Sequence, residues 1–317
     1  MIYEVLMMKK SSVAMAYASI LAVVLIWGII PTFKKALIGG QFSASVYTAM
    51  TTTAGALALL LLSRKKLHLL NKTYFKVAVP TGLAVAAASL VQAIAYNYDA
   101  SPTKQAFLEN LSCVIVPILM LLIVKKKPSV ITAVAALVCL ASSFVLGDIF
   151  SVGLSVGAAD ILNALAGVFY GVNIAFTGIY AKKLDAKLYV MIQLFVQGLS
   201  SVLMAILLHF VPFGGKCIDP FVFTPRLWPI LAVMGVGIVT NAVCWTLRTS
   251  SMKYVSPSAV AVIMPFSAVV TGILSVILGM DRISWTLVVG AILGLGAALL
   301  SSFGDLKESK AQAEKEN

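Results

Sequence analysis

The chain has 317 residues, of which 60% are hydrophobic and only 11% charged, and its mean hydropathy is +0.99. Soluble domains carry roughly a quarter of charged residues and cannot hide this much apolar surface, so a soluble fold is excluded. A net charge of +12 and a pI near 9.6 do not signal nucleic acid here, because the Lys and Arg stand in ones to threes between apolar stretches.

Apolar stretches follow one another at 13–33, 43–62, 75–96, 103–124, 130–146, 157–181, 188–210, 227–247, 257–278 and 283–303. Lipid offers backbone groups no hydrogen-bond partner, so each stretch that crosses must be a helix satisfied within itself. The expected fold class is therefore an all-α integral membrane protein with ten transmembrane helices. Lys9 and Lys10 before the first stretch imitate a signal peptide, but the run is too long and nine more follow; it reads as an uncleaved first helix. The stretch 211–226, with Pro212, Gly214, Gly215, Pro220 and Pro225, is the longest loop, and the polar segment after Gly304 reads as a short, frayed end.

With the N-terminus inside, 18 of the 24 basic residues fall on the cytoplasmic side. The exceptions are Lys34, Lys35, Lys104, Lys216, Arg226 and Arg282. Short loops follow this positive-inside bias, so a multi-pass cell-membrane protein with both termini cytoplasmic is expected.

Polar side chains inside the stretches are the candidates for function. Trp27 lies deep in the first, as a cavity wall or a packed aromatic. The third carries Ser89, Gln92, Tyr96 and Asp99 on one face. The fourth carries Gln105, Glu109 and Ser112 at helical spacing, and Glu109 reads either as a substrate-amine partner or proton site, or as a paired interior ion. The sixth bears the longest stripe, Asp160, Asn163, Tyr170, Asn173 and Thr177, which suits a cavity lining or packing glue between helices. In the eighth, Asn241 and Trp245 lie deep, whereas Arg248 is close to the cytoplasmic end and reads as a snorkelling side chain.

Pro31, Pro117 and Pro265 lie inside helices, as hinges or static kinks. Gly290 and Gly294 form a close-approach motif for the fifth helix or for a second copy of the chain, a homodimer. Cys113, Cys139, Cys217 and Cys244 show no metal-ligand spacing, and neither do His68 and His209. No phosphate-binding loop or ATP-binding domain is present, so the sequence offers no cofactor, no metal site and no enzyme chemistry. An open channel would need a ring of like charges or a repeated filter sequence, and neither is visible.

Ser101-Pro102 through Gly147-Asp148 recurs in outline as Ser256-Pro257 through Gly304-Asp305, at offsets of 155 and 157 residues. Two five-helix copies have opposite orientation, which is the inverted-repeat plan of secondary transporters. The expected units are 1–150, 151–304 and a cytoplasmic tail, 305–317.

The chain resembles the EamA-like ten-helix branch of the drug/metabolite transporter superfamily. The resemblance is carried by Trp27-Gly28 with Lys35 beyond, by Ala106-Phe107-Leu108 with Pro117, and by Tyr254-Val255-Ser256-Pro257 with Pro265. Leu278-Gly279-Met280-Asp281 is similar to the family's Leu-Gly-Glu ending, with Asp in place of Glu, and Lys125-Lys126-Lys127-Pro128 stands where the first half lacks that acid. The resemblance implies a carrier that exposes a central cavity to each side in turn and moves amino acids or other small organic metabolites, often outward. The expected substrate-binding set is Trp27, Gln92, Tyr96, Gln105, Glu109, Asn163, Tyr170, Asn173, Asn241 and Trp245, with a small molecule and the lipid bilayer as partners and no nucleic acid. An organic-cation or multidrug carrier would suit the same mixture.

Overall fold

The computed structural model describes every residue except 1, 39, 96–107, 126–127, 147–156, 211–220, 280–282 and 317. Tyr96 and Gln105 therefore lie outside the described residues. The helices are α1 (Ile2–Ile38), α2 (Ala44–Ser63), α3 (Lys72–Ala95), α4 (Ser112–Val124), α5 (Val130–Leu146), α6 (Ala158–Tyr180) and α7 (Ala186–Phe210). They are followed by α8 (Leu227–Ser251), α9 (Pro257–Ile263 and Phe266–Ile277) and α10 (Trp285–Glu316). Among the described residues, eight helices are long and apolar enough to cross a membrane, and Ser112–Val124 and Val130–Leu146 are shorter apolar helices.

The burial pattern is that of a protein dissolved in lipid. Leu61, Leu62, Leu122, Leu199, Trp228 and Ile292 are exposed, whereas Asn163, Asn173, Thr177, Gln193 and Ser301 are buried. Apolar tails gain nothing by leaving hydrocarbon, so close packing by small residues brings the helices together instead. A Cβ on Gly290 would lie 2.5 Å from Leu146 Cγ and one on Gly294 2.9 Å from Ser142 Oγ. Ser142 Oγ also donates to the Gly290 carbonyl at 2.7 Å. The GxxxG motif thus packs against α5, the first of its two expected roles.

The extensive pairings are α2 with α7 and α8, α3 with α6 and α7, α1 with α8 and α9, α4 with α6 and α9, α5 with α10, and α9 with α10. Two helices are irregular at the centre. In α8, Ile238–Cys244 is a π-helical segment, and α9 breaks at Met264–Pro265. There Ser267 N–H and Ala268 N–H reach back only three residues, to the Met264 and Pro265 carbonyls, at 3.1 and 3.0 Å, and Pro265 has no N–H to give to the Ala261 carbonyl one turn back.

The end of the bundle bearing Arg64, Lys65, Lys66, Lys182 and Lys183 is tied together. Lys66 Nζ lies 2.7 Å from Asp185 Oδ2, and the Asp185 backbone N–H donates to the Tyr74 hydroxyl at 2.9 Å. Tyr17 OH donates to Asp305 at 3.1 Å, and Ser256 N–H donates to both Asp305 oxygens at 3.3 and 3.2 Å. Ser129 N–H donates to Glu308 at 3.0 Å. Asp305 and Glu308 thus sit at the N-termini of α9 and α5, where a carboxylate complements the helix dipole. This explains why α10 continues as helix to Glu316 instead of fraying after Gly304.

Asp185 also caps α7, accepting from the Lys187 and Leu188 amides at 3.0 and 3.4 Å. Burial alone would raise its carboxyl, but the bonds from Lys66 and from these amides outweigh it and hold the group below its ordinary value. Asp185→Ala should therefore destabilise detergent-solubilised protein by about 1 kcal/mol at neutral pH, the usual worth of an N-cap. A depressed carboxyl stabilises above its unfolded value and stops doing so as pH falls through the folded one. The difference in melting temperature between wild type and variant should accordingly shrink on acidification, and a gap that stays constant at low pH would count against the assignment.

Candidate functional site

A polar cavity of about 450 Å³ lies inside the bundle. It is lined from the first turns of α2 (Thr48, Thr51, Thr52), the far end of α3 (Ser89, Gln92), the entry to α4 (Glu109, Asn110, Ser112) and the far half of α7 (Gln197, Met204). These positions lie away from the tied, basic end. Tyr170 of α6, Asn241, Trp245 and Arg248 of α8, Trp27 of α1, and Met264, Pro265 and Ser267 at the break in α9 also line it, with Val85 and Ile174 adding apolar surface.

The polar stripes of α3 and α6 face each other across this space, with Tyr170 OH donating to Gln92 Oε1 at 3.1 Å. Trp27 Nε1 donates to the Thr240 carbonyl at 3.4 Å, inside the π-helical segment of α8, where the ordinary helix hydrogen-bond ladder is interrupted. The Trp27 and Trp245 rings are 6.4 Å apart, tilted by 60°. Glu109 precedes the regular part of α4. Leu108 and Glu109 are themselves helical, and a turn at Asn110 and Leu111, with Leu111 N–H bonded to the Leu108 carbonyl at 3.2 Å, leads from them into Ser112–Val124.

Arg248 does not snorkel as its position in the sequence suggests. It is only 3% exposed, and its guanidinium carbon lies 4.2 Å from the Trp245 ring centroid and 5.9 Å from that of Trp27. Snorkelling fails for a geometric reason. A helical side chain leans toward the N-terminus of its own helix, and for a residue in the last turn of α8 that direction leads into the bundle.

Behind Arg248 stands a buried network. Arg248 Nη2 donates to Asn173 Oδ1 at 2.9 Å, and Asn173 Nδ2 donates to the Thr81 carbonyl at 3.2 Å. The Tyr189 hydroxyl bonds those of Thr81 and Thr177 at 2.8 and 3.0 Å, and Gln193 Nε2 donates to Thr81 Oγ1 and Tyr189 OH at 2.8 and 3.1 Å.

Of the expected residues, Trp27, Gln92, Glu109, Tyr170, Asn241 and Trp245 border the cavity. Asn173 does not, and instead holds Arg248 from behind. Asn163 is fully buried outside the lining, and both of its side-chain polar atoms lack a partner. The cause is the entry to α4: a Cβ on Gly167 would lie 2.5 Å from the Leu108 carbonyl oxygen, so that chain crosses α6 between Asn163 and Tyr170. The lining also includes residues outside the expected set: Thr48, Thr51 and Thr52, which recur at i, i+3 and i+4, and Gln197, which follows Gln193 at i+4. Their helical spacing is the signal that could have found them. Among the described residues, no three His, Cys, Asp or Glu gather as metal ligands.

Apolar helices around a polar hollow define a multi-pass membrane protein. Residues 157–303 match the EamA-like transporter family. This match supports a role in carrying small molecules across a membrane. No curated protein matches the chain. A solved structure described only as "Crystal structure of protein" is similar in fold, with a TM-score of 0.74 at 18% identity over 92% of this chain and 98% of that one.

Proposed function

We propose that the chain is a secondary carrier of small polar organic metabolites such as amino acids, working by alternating access. In this reading ten crossings form two inverted five-helix halves, 1–150 and 151–304, with 305–317 beyond them and both termini cytoplasmic. The basic-residue bias supports the orientation. The helix pairings support the halves: exchanging each helix with the one five places on turns α3·α6 into α8·α1, α4·α6 into α9·α1 and α3·α7 into α8·α2. The same exchange leaves α2·α7, α4·α9 and α5·α10 unchanged.

The observation that carries the function is the cavity itself. Its volume of about 450 Å³ lies within the range of small-molecule sites, roughly 300–1,000 Å³. It is bordered by the broken α9 and the irregular α8, and discontinuous helices at the junction of two repeats are where secondary transporters bind substrate. Glu109 is the proposed partner of a substrate amine, with Gln92, Tyr170 and Asn241 supplying hydrogen bonds and the two tryptophans an apolar wall.

Counterflow in proteoliposomes tests this reading. Uptake of a labelled amino acid should saturate and be driven by unlabelled amino acid on the other side, whereas flux linear in concentration without exchange would contradict a carrier. Glu109→Gln should fold normally and alter the pH dependence of transport; an unchanged profile would make Glu109 a structural group.

A further inference from the structure

We infer that Arg248 is the anion anchor of the cavity, so that the transported molecule must carry a carboxylate and organic cations lacking one are rejected. This deepens the carrier reading and rests on it. Arg248 is nine-tenths buried and more, lines the cavity, and is held in one pose by Asn173 and by the face of Trp245. Its Nε is buried without an acceptor, and among the described residues no carboxylate lies within ion-pair distance of it.

A guanidinium is effectively always protonated, and burying it without a counter-ion costs several kcal/mol. Aromatic faces and one amide oxygen offset part of that cost and leave the charge unneutralised. The remaining donors form a planar fork matched to a carboxylate, which can take two of them at once. A dianionic phosphate is disfavoured because Glu109 lines the same cavity. The network of Thr81, Thr177, Tyr189 and Gln193 positions Asn173 and hence the fork; these residues act through Arg248 and do not line the cavity.

The probes are the standard L-amino acids and their α-amides, which keep amine and side chain and lose only the carboxylate charge. Binding to the purified full-length protein is read from tryptophan emission, since Trp27 and Trp245 both lie beside the guanidinium. At least one amino acid should bind saturably, and its amide should bind on the order of 100-fold more weakly, as expected when a desolvated charge pair loses one partner. Arg248→Gln should abolish the preference for acid over amide, and Arg248→Lys should retain part of it. An amide that binds as tightly as its acid, acid binding unchanged in Arg248→Gln, or no binding by any amino acid would overturn the anchor. If Arg248→Gln does not fold, the wild-type comparison decides. Saturable counterflow of amides with no preference for acids would remove the anchor and leave the carrier, whereas flux without saturation would remove the carrier itself.

Discussion

Replacing Asn173 with Leu is expected to destabilise the protein by about 1–3 kcal/mol, because it leaves a buried guanidinium N–H without its side-chain acceptor. The Thr81 carbonyl loses its side-chain donor as well. The same physics makes a sharper claim about the double variant. Removing both partners of a buried polar pair can be nearly neutral, since no uncompensated group remains. Asn173→Leu combined with Arg248→Met should therefore recover most of the lost stability while failing to bind substrate. Thermal unfolding in detergent of the two single variants and the double completes the cycle. A double variant that melts as low as Asn173→Leu would show that the charge on Arg248 is not what Asn173 serves.

The second large effect is steric. A Cβ added to Gly237 of α8 would fall against the Thr51 backbone of α2, and one added to Gly55 of α2 would come within 2.8 Å of Asn241 Cβ. The two helices meet where both line the cavity, through Thr51 and Asn241. Overpacking a close contact costs roughly 1–3 kcal/mol when side chains can yield, and backbone yields less readily. Gly237→Val should push α2 and α8 apart, lower the melting temperature and abolish transport. Gly235 lies on the same helix, two residues away, with open space where its Cβ would be. Gly235→Ala should be neutral or slightly stabilising, given the better helix propensity of Ala. Equal effects at the two positions would show that loss of glycine, and not the α2–α8 contact, is responsible.

Helical periodicity makes much of the site legible in the sequence. The i+3 and i+4 stripes on α3 and α6 put Gln92 and Tyr170 on interior faces, and they hydrogen-bond across the cavity. Periodicity tells which side chains share a face, however, and not which neighbour occupies the space in front of it. Asn163 lies on the same stripe as Tyr170, yet the entry to α4 closes over Gly167 between them. At Arg248, distance from the helix end misleads because the direction of the side chain along the helix decides where the charge goes. The threonines of α2 give a weak signal because their hydroxyls are absorbed locally, as in the 2.6 Å bond from Thr52 Oγ1 to the Thr48 carbonyl. The continuation of α10 depends on Asp305 meeting Tyr17 and Ser256, contacts between residues far apart in the chain that no local pattern announces.

Alternate exposure of the cavity is most directly measured by thiol labelling at Ser267, a small residue on its wall at the break in α9. In a chain otherwise free of cysteine, Ser267→Cys would be treated with a membrane-impermeant thiol reagent in sealed right-side-out and inside-out vesicles. Labelling from both faces is expected, with a cysteine at the outward-facing Leu61 position left unmodified. Modification from one face only, under every condition, would contradict a carrier that opens this cavity to each side in turn.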